Sequence, residues 1–81
     1  MDRAYEMVTI LLDALAKANM GDPEGAQRDF ERAFAIDGTD PYLRKTYEDA
    51  LLRIFDHYME RGEWEKIDAL KERSRRLLGE R

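Results

Sequence analysis

The sequence predicts an all-α protein of four helices that pack as two stacked helix-turn-helix hairpins. Apolar residues recur at helical spacing in four segments, and a glycine follows each segment. No segment alternates between apolar and polar residues as a half-buried strand does, and valine occurs once. Links of about two to four residues hold successive helices antiparallel. Because 81 residues are too few for two separate cores, we expect a single helical domain over residues 1–81.

Capping residues define where the helices begin and end. Asp22 and Asp40 are suited to accept hydrogen bonds from free helix amides, and Pro23 and Pro41 are suited to the first turn. A glycine after each helix is suited to the left-handed conformation that ends it. The predicted helices span about 2–20, 23–37, 41–61 and 63–78, and the closing glycines are Gly21, Gly38, Gly62 and Gly79.

The width of each apolar face predicts how many neighbours a helix has. The second helix has a narrow stripe with Ala26 and Phe30, which one groove satisfies, and Gln27 lies off this stripe. The first helix is apolar over more than half of its circumference, including Val8 and Leu12. We therefore expect the first helix to contact two other helices.

The fourth helix offers one apolar stripe, which begins at Trp64. We expect this helix to cap the stack of hairpins. In this arrangement Trp64 meets Leu15, Phe30 and Ile54 in one continuous dry interior that joins both hairpins.

The third helix carries two apolar patches. Its main stripe runs from Leu43 to Tyr58, and Leu52, Phe55 and Met59 form a second patch displaced around the helix. Burial against the first or fourth helix is the simpler explanation of the second patch. If it is left open, it is our candidate protein-contact patch, suited to a second copy of the chain or to a partner helix.

Composition excludes several classes of function. A net charge of -4 disfavours binding to nucleic acid or to anionic membranes, because both require a positive surface. The absence of cysteine excludes disulfides, thiolate metal sites and thiol catalysis. No apolar run approaches the length of a membrane span or of a signal peptide. We expect a soluble protein, cytoplasmic if it is expressed in a cell.

The fourth helix ends in a basic segment that includes Lys71, Arg73, Arg75 and Arg76. The negative end of the helix dipole favours cations in this position, which is the simpler explanation. An acidic partner is the alternative.

No set of residues predicts an enzyme. His57 is the only histidine and lacks the partners that a nucleophile, a general base or a metal site needs. The carboxylates Asp49, Asp56 and Glu60 share a helical face with Arg53, which indicates a solvated, ion-paired surface. Glycine motifs that bind phosphates or dinucleotides are missing. We expect no catalytic residue, no metal, no cofactor and no required partner.

One stretch resembles a known family. Gly21, Ala26, Phe30 and Ala33 have the spacing of the second half of a tetratricopeptide repeat, in which small residues admit a neighbouring helix and an aromatic fills the gap. The resemblance covers about residues 7–41 and implies repeat-like packing of the first three helices. It also implies peptide binding in a groove lined by the first helix of each repeat, although the basic clamp of that family is not reproduced.

The rest of the chain departs from this pattern. The turn glycines Gly21 and Gly62 lie 41 residues apart, whereas the family repeats every 34. Lys71 and Ser74 occupy the aromatic and second small positions in the fourth helix. Two dissimilar hairpins joined by one long helix indicate an engineered chain. Our leading expectation is an engineered helical scaffold without specific activity, and the alternative is a natural tetratricopeptide-like module for protein contact or self-association.

Overall fold

The computed structural model describes residues 3–79, which form four α-helices and no strand. The predicted helix class and number are therefore confirmed. The second and third helices have the predicted bounds, the first ends one residue earlier and the fourth begins one residue later than predicted, and Asp2 lies outside the described residues. The helices are α1 (Arg3–Asn19), α2 (Pro23–Asp37), α3 (Pro41–Arg61) and α4 (Trp64–Leu78).

The predicted aspartate caps are present at both Asp-Pro steps. The carboxylate of Asp22 accepts a hydrogen bond of 3.0 Å from the amide of Gly25. The carboxylate of Asp40 accepts bonds of 2.8 Å from the Tyr42 amide and 3.2 Å from the Leu43 amide. Each cap satisfies amides that have no partner within their own helix.

The glycine that follows α2 does not adopt the conformation that we predicted. Gly21, Gly62 and Gly79 have positive φ angles, but Gly38 has φ -71° and a right-handed conformation. The Asp37 carboxylate explains the difference, because it accepts bonds from the amide and the hydroxyl of Thr39, at 3.0 and 2.7 Å. This side-chain turn closes the helix without a left-handed residue.

The α1–α2 and α3–α4 hairpins correspond at a constant offset of 41 residues. Helices α2 and α4 both have 15 residues, and their N-caps, Asp22 and Glu63, and C-caps, Gly38 and Gly79, keep the same offset. Helices α1 and α2 nevertheless pack more extensively than α3 and α4. Three buried alanines of the first hairpin are replaced by large residues at the equivalent positions of the second, where the same close approach of two helices has less room: Ala14, Ala18 and Ala26 correspond to Phe55, Met59 and Ile67.

Helix α3 packs against both helices of the first hairpin. Its Tyr47 ring is 5.0 Å from the ring of Phe30 and 5.3 Å from the ring of Phe34, measured between centroids. Tyr47 is fully buried, and its hydroxyl donates a 2.9 Å hydrogen bond to Gln27 Oε1. The third helix is therefore fixed to the second by aromatic contacts and by a buried polar bond.

The placement of Trp64 in the interior was wrong. Its side chain is 62% exposed, and the core residues of α4 are Ile67 and Leu70. Trp64 is the first residue of its helix and comes after Tyr58, the last core residue of α3, so it lies at the end of the bundle. The fourth helix still joins the hydrophobic core, through Ile67 and Leu70 but without Trp64.

The wide apolar face of α1 is only partly covered. Helix α1 contacts α2 and α3, as predicted. These neighbours bury Leu11, Ala14 and Ala18, but Val8 and Leu12 remain 45% and 60% exposed. Among the described residues, no helix is long and apolar enough to cross a membrane.

The first testable prediction concerns Gly25. A β-carbon at this position would lie 2.3 Å from Oδ2 of Asp22, so alanine forces the capping carboxylate to move. Alanine should improve helix propensity by about 1 kcal/mol, and loss of the cap should cost about 1 kcal/mol. We therefore expect Gly25→Ala to give no net gain in the natural sequence, measured as the free energy of unfolding in urea.

The matched control is Gly25→Ala in an Asp22→Ala background. No cap remains there, so the substitution should stabilise the protein by about 1 kcal/mol. An equal gain in both backgrounds would show that the glycine is not required by the cap.

Candidate protein-contact surface

The predicted contact patch of Leu52, Phe55 and Met59 lies open on α3. Leu52 is 69% exposed and Met59 is 46% exposed, whereas Phe55 is half-buried against the core. Their spacing places them on one side of the helix. Burial against α1 or α4, the simpler explanation, is therefore wrong for Leu52 and Met59.

A second group of exposed apolar residues lies on α1. Tyr5, Val8 and Leu12 follow one another by three and four residues and share a side of the helix. They are 65%, 45% and 60% exposed. Sequence analysis assigned Val8 and Leu12 to a helix contact and gave Tyr5 no role.

The charges near the contact patch are mostly unpaired carboxylates. The two cations of this part of α3 have partners within the molecule, because Lys45 lies 3.4 Å from Asp49 and Arg53 donates to the side chain of Asn19. Glu48, Asp56 and Glu60 are exposed, and within residues 3–79 they form no ion pair at the distance of a salt bridge. The α3 side of the patch is therefore acidic.

His57 has a structural partner. Its Nε2 lies 2.9 Å from the carbonyl oxygen of Ala18, near the end of α1, where Nε2 can donate a hydrogen bond. Carbonyls in the last turn of a helix have no partner within that helix. No group of three His, Asp or Glu side chains suited to a metal ion occurs among the described residues.

A cleft of about 290 Å³ lies between α2 and α4. Glu24, at its edge, accepts a 2.8 Å hydrogen bond from the Tyr58 hydroxyl and lies 3.4 Å from Lys66 Nζ. Burial opposes the ionisation of Glu24, but these partners outweigh it and lower its pKa. The pKa of Tyr58 is raised, mainly by burial and to a smaller extent by the bond to Glu24. Glu24 is thus engaged with both Tyr58 and Lys66 across the cleft.

A polar chain that sequence analysis missed links α2, α3 and α4. Gln27 is only 3% exposed, accepts from Tyr47, and donates a 3.0 Å bond to Glu31. Glu31 lies 2.5 Å from Arg73 of α4. The spacing of Gln27 to Phe30 and Phe34, three and seven residues, was the available signal that Gln27 faces inward. Burial raises the pKa of Tyr47 to about 12.

The exposed apolar groups offer surfaces for contact, whereas the bonded side chains of His57, Glu24, Gln27 and Glu31 connect neighbouring helices. Comparisons of the chain with protein-family models, with curated proteins and with solved structures found no significant match. Function is therefore inferred from the geometry of this chain alone.

The second prediction is that stability falls at high pH. Above the ordinary tyrosine pKa of 10.0, the unfolded chain loses phenolic protons that Tyr47 retains in the folded state, because burial raises its pKa to about 12. The free energy of unfolding should therefore decrease between about pH 10 and 12, by up to about 1.4 kcal/mol per pH unit for one such tyrosine.

The control for this prediction is Tyr47→Phe, which keeps the aromatic ring. Tyr58, whose pKa is raised by burial and by its bond to Glu24, and Lys66, whose pKa is raised by its bonds to Glu63 and Glu24, also lower stability at high pH and contribute in both proteins. The variant should be less stable at neutral pH because Gln27 loses its donor, and its stability should fall less steeply with pH. The free energy of unfolding is measured in urea at each pH, and an equal decrease between about pH 10 and 12 in the two proteins would contradict the prediction.

Proposed function

We propose that this chain is a small helical protein-interaction module that uses the contact patch of Leu52, Phe55 and Met59. The observation that carries the proposal is the 69% exposure of Leu52 on a patch that continues into the core through Phe55. Neighbouring exposed apolar side chains that form one patch are a feature of protein-contact sites. Its acidic side would guide the orientation of a partner.

The polar groups of the chain support this assignment over catalysis. His57 is bonded to a backbone carbonyl, and Glu24, the carboxylate that lines the α2–α4 cleft, is bonded to Tyr58 and lies near Lys66. A general base needs to face a reacting group rather than a structural partner. We accordingly propose binding without a chemical step.

Resemblance to tetratricopeptide repeats favours the same class of function. The small residues Ala14, Ala18, Ala26 and Ala33 are each 0% exposed, which agrees with the close helix packing that this resemblance implies. Repeats of this family act in protein contact, so we propose a tetratricopeptide-like interaction module. This part of the proposal depends on analogy between folds.

An engineered scaffold with no partner is the second candidate. Two observations favour it: the buried side-chain polar atoms of the described residues all have hydrogen-bond partners, and glycines or aspartates cap the helices. A scaffold built only to fold would, however, keep large apolar side chains off its surface. The exposure of Leu52 and Leu12 is why we place this candidate second.

The third prediction tests the contact patch. Leu52→Glu adds a charge at a position that is already exposed, so the fold should be unaffected while contact with a partner is lost. Burial of a leucine contributes about 1.5–3 kcal/mol, so retention of a partner on the immobilised chain should fall about tenfold or more.

Tyr42→Glu is the matched control, because Tyr42 is 60% exposed and lies outside the patch. It should retain the partner as the natural sequence does. If the unmodified chain and Leu52→Glu capture the same proteins, nothing binds through the patch, and the scaffold is the better explanation.

A further inference from the structure

The two hairpins differ in what covers them. At the offset of 41 residues, Leu52 and Met59 correspond to Leu11 and Ala18. Leu11 and Ala18 are 1% and 0% exposed, in a core that α3 helps to form. Leu52 and Met59 are 69% and 46% exposed, and no helix within residues 3–79 covers them. The α3–α4 hairpin thus presents an open place equivalent to the one that α3 fills on the α1–α2 hairpin.

The residues of α4 that face this open place are basic where those of α2 are aromatic. Phe30 and Phe34 contact Tyr47 in the interior, and their equivalents on α4 are Lys71 and Arg75. Lys71 is exposed and forms no ion pair at salt-bridge distance among the described residues, whereas Arg75 donates to Glu72 on its own helix. A helix that docked here would need an acidic side chain at the position equivalent to Tyr47.

The chain itself contains such a helix. The α1 residue equivalent to Tyr47 is Glu6, which is exposed and has no ion pair at salt-bridge distance within the described part of the chain. Asp13 follows two turns later on the same side of α1 and is also exposed. Where Tyr47 meets two aromatic rings in the interior, Glu6 of a second copy would meet two cations.

We propose that copies of this chain associate head to tail, with α1 of one copy on the α3–α4 hairpin of the next, in the place equivalent to that of α3 on α1–α2. Glu6 then faces Lys71 and Arg75, and Leu52 is covered. This inference rests on the proposed function and names its partner as a second copy. Because each copy uses two different surfaces, the association is heterologous and continues beyond a dimer.

Carboxylates on both helices of the open place oppose the contact. Glu48, Asp56 and Glu60 make the α3 side acidic, and Asp68 adds a carboxylate on α4. Asp68 is equivalent to Gln27, which bonds to Tyr47 in the interior. Asp68 of one copy would therefore lie close to Glu6 of the next, and like charges repel. The substitution Asp68→Asn removes this repulsion and is expected to tighten association severalfold.

The test is sedimentation velocity of the full chain over a concentration series at low salt. The sedimentation coefficient of the natural sequence should rise steadily with concentration, without a limit at the dimer. It should fall back toward that of the monomer at 1 M salt, because the Debye length shortens from about 10 Å at 0.1 M to about 3 Å. A monomer at every concentration in low salt would overturn the inference.

Two variants determine whether the contact is head to tail. Glu6→Lys disables the α1 surface and Leu52→Lys disables the α3–α4 surface, and both positions are exposed, so circular dichroism should show unchanged helix content. Each variant alone should be monomeric. An equimolar mixture of the two variants retains one intact pair of surfaces and should give a dimer and nothing larger. A mixture that stays monomeric would overturn the inference. So would a Glu6→Lys variant that associates like the unmodified chain.

The same variants separate this inference from the proposed function. A monomeric natural sequence that still captures a partner through Leu52 contradicts head-to-tail association and leaves the interaction module in place. If the unmodified chain neither self-associates nor captures a partner through Leu52, head-to-tail association and the interaction module are both contradicted.

Discussion

The insertion of Tyr47 between Phe30 and Phe34 is the contact on which the arrangement of helices depends. The alanines of the α1–α2 contact allow these two helices to approach closely, and the aromatic residues of α2 then form the surface that receives α3. The hydroxyl of Tyr47 is satisfied by Gln27, so the ring is buried without an unpaired polar atom. Helices α2 and α3 are thereby fixed to each other through one buried side chain, and α1 packs against both of them.

Helix α4 is attached to this unit by fewer interactions. Ile67 and Leu70 enter the core, and Arg44 donates to the carbonyl oxygens of Gly38 and Leu78 near the helix ends. Long polar side chains span the cleft between α2 and α4. No helix within residues 3–79 covers the outer side of the α3–α4 hairpin, which leaves Leu52 and Met59 exposed.

Much of this fold could be predicted from the sequence, because helix period, capping aspartates and short links are local signals. The predicted bounds of α2 and α3 are confirmed for that reason. Trp64 and Val8 were wrongly placed in the interior. An apolar stripe shows which residues are able to be buried, but the positions of the neighbouring helices determine which residues are buried. The spacing of Gln27 to Phe30 and Phe34 placed it on the inward side of α2, but its polarity pointed to the surface, and the partner that satisfies it, Tyr47, lies 20 residues later in the chain. For the contact patch, the sequence identified the residues and left their exposure open.

The central claim is that α1, α2 and α3 form the tightly packed unit and that α4 adds to it at one side. Native-state hydrogen exchange tests this claim most directly, because it measures the free energy of opening for each amide. We expect the amides around Phe30 in α2 and Tyr47 in α3 to exchange only through global unfolding, and those around Leu70 in α4 to exchange through a smaller opening at a lower free energy. Equal protection of α4 and α2 would contradict the account.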